Sequence, residues 1–255
     1  MNWFSDKRDT LTVLMYHKII DSDRPNKLTV TRRQLEEQLD FLVNEGYTCV
    51  SLKEILNHIS TGIPLAQKAI LLTFDDGHKT DYTVLYQLLQ QYKLKAVIFL
   101  VPALVETSKP NNESEYLNIN DIRAMDDDII EFGLHTYDHK NYNKIDLSII
   151  EEDIIKTKTW FDLFNVKYSP VLAYTYGDFP KNDTAKLITF FNLFKKHGIQ
   201  AAFAIGNRIN ILPIKKKFII QRIEVRGTDP LPRFISKVKK GKIVTGFIKD
   251  ILGMP

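Results

Sequence analysis

Eight short apolar, β-branched runs punctuate this chain, at Leu11–Tyr16, Thr48–Leu52, Ala69–Phe74, Ala96–Val101, Ile129–Leu134, Val171–Tyr176, Ala201–Ile205 and Phe218–Val225. Between most of them lie segments with helical spacing: Thr31–Glu45, Thr80–Tyr92, Leu147–Phe164 and Thr184–His197. In the first, Leu35, Leu39, Leu42 and Val43 share one face and Gly46 ends it; Gly198 ends the last. Apolar strands alternating with amphipathic helices are buried on both faces, so the pattern specifies a parallel sheet covered by helices. A chain of 255 residues is long enough to close such a sheet on itself. The expected fold is therefore α/β, a distorted (β/α) barrel of about seven to eight parallel strands. No low-complexity linker or internal repeat divides it, so residues 1–255 read as a single domain, with Thr107–Ser114 as a surface loop.

Parallel α/β folds place their chemistry at the carboxyl ends of the strands. The third run ends Thr73-Phe74-Asp75-Asp76-Gly77. Neighbours on a regular strand point to opposite faces, but at a strand end followed by glycine both carboxylates can turn into one crevice. Two anions beside a buried strand call for a cation, and a metal ion is the usual one; the plainer alternative is a loop of helix-capping aspartates. The fifth run is followed by His135-Thr136-Tyr137-Asp138-His139, two imidazoles at a spacing that suits one ion. A barrel would bring both elements to one mouth, and a carboxylate with two imidazoles leaves coordination positions open, as a hydrolytic metal site requires. Ala173-Tyr174-Thr175-Tyr176-Gly177-Asp178 is a third strand end, whose turn at Gly177 frees a backbone N–H to act as an oxyanion donor. His17, ending the first strand, reads either as a structural histidine or as a general acid at the same mouth.

Composition narrows the partners. The net charge of +4 is mild and the basic residues are spread along most of the chain, which argues against a nucleic-acid surface. The exception is the tail, where Lys237, Lys239, Lys240 and Lys242 cluster within an amphipathic stretch, Phe234–Leu252. That segment (about 234–255) reads as a helix on the outer wall of the barrel, or as a basic face that makes peripheral membrane contact. Cys49 is the single cysteine, so no internal disulfide forms. The N-terminus lacks an apolar export segment, and no run approaches the roughly 18 residues of a spanning helix. The chain accordingly reads as cytoplasmic or peripheral at the inner membrane face, or as extracellular or periplasmic if a signal had been removed. A monomer is expected.

Thr73–Gly77 followed by His135–His139 resembles the paired motifs of the polysaccharide deacetylases of carbohydrate esterase family 4, the NodB-homology fold. Leu14-Met15-Tyr16-His17-Lys18-Ile19 and Ala173–Gly177 look most like the branch that deacetylates biofilm poly-N-acetylglucosamine. The resemblance implies metal-dependent hydrolysis of N-acetyl groups on an N-acetylglucosamine-containing polysaccharide or glycan precursor, with a metal-activated water as nucleophile. By position, Asp75 matches the general base, and Asp76, His135 and His139 match the ligands of one divalent ion, zinc foremost, with cobalt or nickel as alternatives. Tyr176 matches the residue whose backbone N–H helps form the oxyanion hole. The late catalytic histidine of many members has no counterpart; in the biofilm branch that acid looks permuted onto the early motif, here His17. Two departures stand out. Thr175 replaces the usual proline, and Ala173 stands where many members carry the arginine that partners the base, leaving Arg222, Glu224 and Arg226 as candidates for a charge partner.

Three rival readings make weaker use of the same residues. A glycan-binding relative without efficient turnover is the nearest, but base and ligands are all present. An amidohydrolase would place two histidines on its first strand, where Leu14–Ile19 has one. A glycoside hydrolase needs carboxylates at least ~5 Å apart across the sugar, which adjacent aspartates serve poorly.

Overall fold

The computed structural model describes residues 9–109 and 114–241. In chain order its strands are β1 (Thr10–Tyr16), β2 (Lys18–Ile20), β3 (Thr29–Thr31), β4 (Thr48–Cys49), β5 (Ala69–Asp76), β6 (Ala96–Leu100), β7 (Ile130–Leu134), β8 (Val171–Ala173), β9 (Ala201–Ile205), β10 (Asn210–Ile211) and β11 (Ile220–Glu224). The helices are α1 (Arg32–Asn44), α2 (Leu52–Thr61), α3 (Tyr86–Tyr92), α4 (Pro102–Thr107), α5 (Ile119–Ala124), α6 (Leu147–Leu163), α7 (Thr184–Lys196) and α8 (Leu231–Lys240). Strands β1, β11, β9, β8, β7, β6 and β5 pair in that order, all parallel, and β5 closes back on β1 from Leu11↔Ala69 to Tyr16↔Phe74. The result is a closed seven-stranded parallel barrel with helices around it.

Alternation along the strands sorts side chains between two cores. Leu11, Val13, Leu71, Val97, Phe99, Val171, Ala173, Phe203 and Ile220 fill the barrel interior. Their neighbours Leu14, Tyr16, Leu72, Phe74, Ile98, Leu100, Phe132 and Leu134 face outward into the larger layer beneath the helices. On this parity Thr73 and Asp75 continue the inward face of β5, and Arg222 continues that of β11. The helices start where local chemistry supplies caps. Thr31 with Gln34 and Ser51 with Glu54 form capping boxes for α1 and α2, each such cap being worth about 1 kcal/mol.

Two expectations need correction. Thr48–Leu52 is not a barrel strand: only Thr48–Cys49 pairs, outside the ring against β5, because the Ser51–Glu54 capping box starts α2 at Leu52. The helix expected over Thr80–Tyr92 opens as a wide π turn at Asp81–Leu85 and becomes α-helical only at Tyr86. The basic C-terminal stretch packs, as far as it is described, on the outer wall. Phe234 and Val238 of α8 are buried, and Phe234 lies edge-on to Phe41 of α1 at 6.0 Å. Lys239 pairs with Glu45, and Lys237 bonds to Asp229 and to the Glu224 carbonyl. Residues 242–255, the rest of that amphipathic segment, lie outside the described residues. Among the described residues, no helix is long and apolar enough to cross a membrane.

Candidate active site

The crevice forms at the carboxyl ends of β5 and β7 and of the strands beside them. Asp75, the penultimate residue of β5, points into the barrel and is 2% exposed. Asp76 would face the outer layer on a regular strand. Its φ of +79° turns the backbone, and Gly77 continues the turn at +74°. A non-glycine residue in the left-handed region is strained, and such strain is held where a site needs it. A Cβ added at Gly77 would lie 2.7 Å from Leu100 Cδ2, so a larger residue there would have to displace that side chain as well as adopt the left-handed backbone.

Arg222 crosses the barrel interior to meet Asp75. Its two terminal nitrogens lie 2.6 and 2.8 Å from the two carboxylate oxygens, a bidentate pair with the guanidinium fully buried. Burial alone would raise the Asp75 carboxyl, but the Arg222 guanidinium holds it below the ordinary aspartate value. Asp75 is therefore a carboxylate, acceptor-only, with its oxygens fixed. Of the three charged residues available on the last strand, Arg222 is the partner. Glu224 and Arg226 pair with each other instead.

Beside it, Asp76 Oδ1 is 3.5 Å from His135 Nε2 and 3.3 Å from His139 Nε2. Ligand atoms from these three residues lie within 4.8 Å of one another, and the buried Asp76 Oδ1 makes no hydrogen bond. Burial raises the Asp76 carboxyl; the His139 and His78 rings beside it lower it further than that, well below the usual range. The tautomer of His135 follows from its other nitrogen. Nδ1 lies 2.8 Å from the Ala173 carbonyl and so carries the proton, leaving the Nε2 lone pair aimed at Asp76. Burial lowers the His135 pKa and favours the neutral ring that a metal requires. A buried orphan carboxylate oxygen between two convergent imidazole Nε2 atoms fits a divalent cation.

His17 lies just past β1, half-buried, and β1 ends beside β5 with Tyr16 opposite Phe74, which brings His17 to the level of Asp75. Tyr176 sits in a turn, Thr175–Gly177, with φ of +58°. Its ring is 66% exposed and meets His139 edge-on at 4.7 Å. The amides of Gly177 and Asp178 are tied to the carbonyls of Tyr174 and Thr175, while that of Tyr176 takes no such bond among the described residues. Thr175, standing where the family resemblance expects proline, donates its hydroxyl to the Lys140 carbonyl and so ties this turn to the segment after His139. All six residues singled out from sequence, Asp75, Asp76, His135, His139, His17 and Tyr176, are thus gathered at one mouth. Sequence reasoning missed His78, whose Nε2 is 3.7 Å from Asp76 Oδ2 and whose ring stacks on Tyr116 at 5.0 Å.

Comparison with known proteins places this geometry. The protein-family model for polysaccharide deacetylase matches residues 62–189, about half of the chain. The chain belongs to the polysaccharide deacetylase family. It is 26% identical over 173 residues to YxkH of Bacillus subtilis, a protein named for the same family, covering 68% of this chain and 59% of that one. It is 23% identical over 239 residues to the poly-beta-1,6-N-acetyl-D-glucosamine N-deacetylase of Staphylococcus aureus, covering 85% of this chain and 79% of that protein. The Streptococcus pyogenes deacetylase PplD, solved with acetate, superposes with a TM-score of 0.76 at 20% identity, over 91% of this chain and 99% of that one. IcaB from Ammonifex degensii gives 0.72 at 22%, over 91% and 97%. The polysaccharide deacetylase barrel is thus shared with these proteins. The chain spans 59% of YxkH, and 14% of an Escherichia coli relative that it matches over 95 residues.

Proposed function

We propose that this protein is a metal-dependent N-deacetylase acting on a polysaccharide or glycan precursor that contains N-acetylglucosamine. The observation that carries the reading is the pairing of two unlike carboxylates. Asp76 has an orphan oxygen between two imidazoles, while Asp75 is held ionised by Arg222 and kept out of that cluster's hydrogen bonding. The relative from Staphylococcus aureus is named for the same chemistry on poly-beta-1,6-N-acetyl-D-glucosamine.

Hydrolysis of an acetamide needs an activated water, a stabilised oxyanion and a proton for the amine. Asp76, His135 and His139 would hold a divalent cation, zinc foremost, which would supply Lewis acidity toward the acetamide carbonyl and the attacking water. Asp75 accepts the water's proton. A carboxylate held this acidic is a weak base, so it suits only a water already acidified. Its bidentate grip on Arg222 fixes the direction from which it takes the proton. The Tyr176 N–H faces the oxygen as it gains charge, and its exposed ring leaves an apolar face for a sugar. His17 donates the proton that lets the amine leave.

The test is acetate release from β-1,6-linked N-acetylglucosamine oligomers, with chitin oligomers in parallel, before and after chelation. Release that is lost on chelation and restored by Zn2+ supports the reading. Stoichiometric metal binding without acetate release from either substrate would replace it with the glycan-binding alternative.

A further inference from the structure

The segment that carries both histidines is strained and held by a residue outside it. Thr136 has φ of +61° and His139 +63°. Threonine is β-branched and disfavours that region most, so the loop would not keep this course unaided. It is pinned at Tyr137, midway between the two ligands. The Tyr137 N–H donates to both carboxylate oxygens of Asp153 on α6, at 3.2 and 3.1 Å, and the Tyr142 hydroxyl donates to the same carboxylate at 2.6 Å. Asp153 is 4% exposed. On the outer side the Tyr137 carbonyl accepts from Ala103 N–H at 2.9 Å, its hydroxyl donates to Glu106 at 2.7 Å, and Lys156 lies 3.6 Å above its ring.

We propose that Asp153 is a positioning residue for the metal site, holding the strained 135–139 loop so that His139 reaches the ion. The two histidines differ in what else secures them. His135 is buried and anchored through Nδ1 to the Ala173 carbonyl. The His139 side chain is 29% exposed, meets the exposed Tyr176 ring edge-on beside His135, and takes its position from its loop. Losing the carboxylate therefore releases His139 and leaves His135 in place.

This inference rests on the metal reading above, and a titration of the metal-free full chain with Co2+, followed by visible absorption, separates the two. Wild type should bind one ion. Asp153→Ala should bind 10–100-fold more weakly, the usual effect of removing a group that orients a ligand. Its spectrum should move toward that of His139→Ala. Asp153→Asn, which keeps the shape and one acceptor, should fall between, and it decides the matter if Asp153→Ala does not fold. Phe161→Leu, further along α6 and fully buried, should lower the thermal midpoint while leaving Co2+ affinity and spectrum unchanged. Wild-type affinity and spectrum in Asp153→Asn and in any folded Asp153→Ala would overturn the proposal. So would a Phe161→Leu variant that loses affinity in step with its loss of stability. If wild type itself binds no Co2+, the metal reading fails and this inference falls with it.

Discussion

Arg222→Met tests how the base is held. The guanidinium and the Asp75 carboxylate are both buried, joined by contacts of 2.6 and 2.8 Å. Charge centres about 4 Å apart attract by about 4 kcal/mol at an effective dielectric constant near 20. Removing one partner of such a pair costs about 3–5 kcal/mol, because the other charge stays buried and unpaired. Methionine keeps the apolar stem and fills the space beside Phe99, whose ring lies 5.6 Å from the guanidinium. In a chain of this size the loss corresponds to a fall of roughly 6–20 °C in thermal midpoint.

The pH dependence has a definite sign. In wild type the Asp75 pKa is depressed, so its stabilising contribution is present above the unfolded value, about 3.9, and is lost as pH falls through the lower folded one. In the variant the buried carboxyl is raised instead, so the penalty is full at neutral pH and fades as acid protonates it. Urea denaturation at pH 7.5 and 4.5 reads this directly. The gap between wild type and variant should be widest at pH 7.5. The acid limb of kcat/KM should also move upward by at least about one pH unit. Replacing both charges, Arg222→Met with Asp75→Asn, should recover much of the stability without recovering activity. Equal midpoints for wild type and Arg222→Met, with an unmoved acid limb, would refute the reasoning.

Two further substitutions probe neighbouring parts. His17→Gln should lower kcat on N-acetylated oligomers by about 10²–10⁴-fold. Hydrolysis of 4-nitrophenyl acetate, whose leaving group needs no proton, should change little, and equal losses on both substrates would remove His17 from the acid role. Gly133→Ala places a Cβ 2.4 Å from Phe99 Cε1 and 3.1 Å from the Val171 carbonyl. Overpacking of that kind costs about 1–3 kcal/mol, read as a lower thermal midpoint; an unchanged midpoint would show that the interior yields there.

The barrel and most of its mouth were legible because two simple rules act together. Apolar runs alternating with helical spacing specify a parallel closed sheet, and parallel sheets expose chemistry at their carboxyl ends. Asp75, Asp76, His135 and His139 follow from those rules and their neighbours. The role of Arg222 did not follow, because three charged residues, Arg222, Glu224 and Arg226, lie on or just past β11. The three share one strand parity, so alternation does not choose among them; the closed ring does, by setting Arg222 opposite Asp75 while Glu224 and Arg226 pair with each other. The π turn at Asp81–Leu85 leaves no mark on a 3.6-residue periodicity. Thr48–Leu52 reads as a strand by its composition, although Ser51-x-x-Glu54 already carried the opposing signal of a helix start. The Asp153 contact lies beyond any local pattern, since it joins residues brought together by the packing of α6.

The account rests on a division of labour between adjacent carboxylates, and one variant separates them. Folded Asp75→Asn should bind a divalent ion with wild-type stoichiometry, because Asp76, His135 and His139 remain. It should release no measurable acetate from N-acetylglucosamine oligomers that wild type deacetylates. Metal bound and turnover abolished is the predicted result. Acetate release at the wild-type rate from the metal-loaded variant would contradict the assignment of Asp75 as the base.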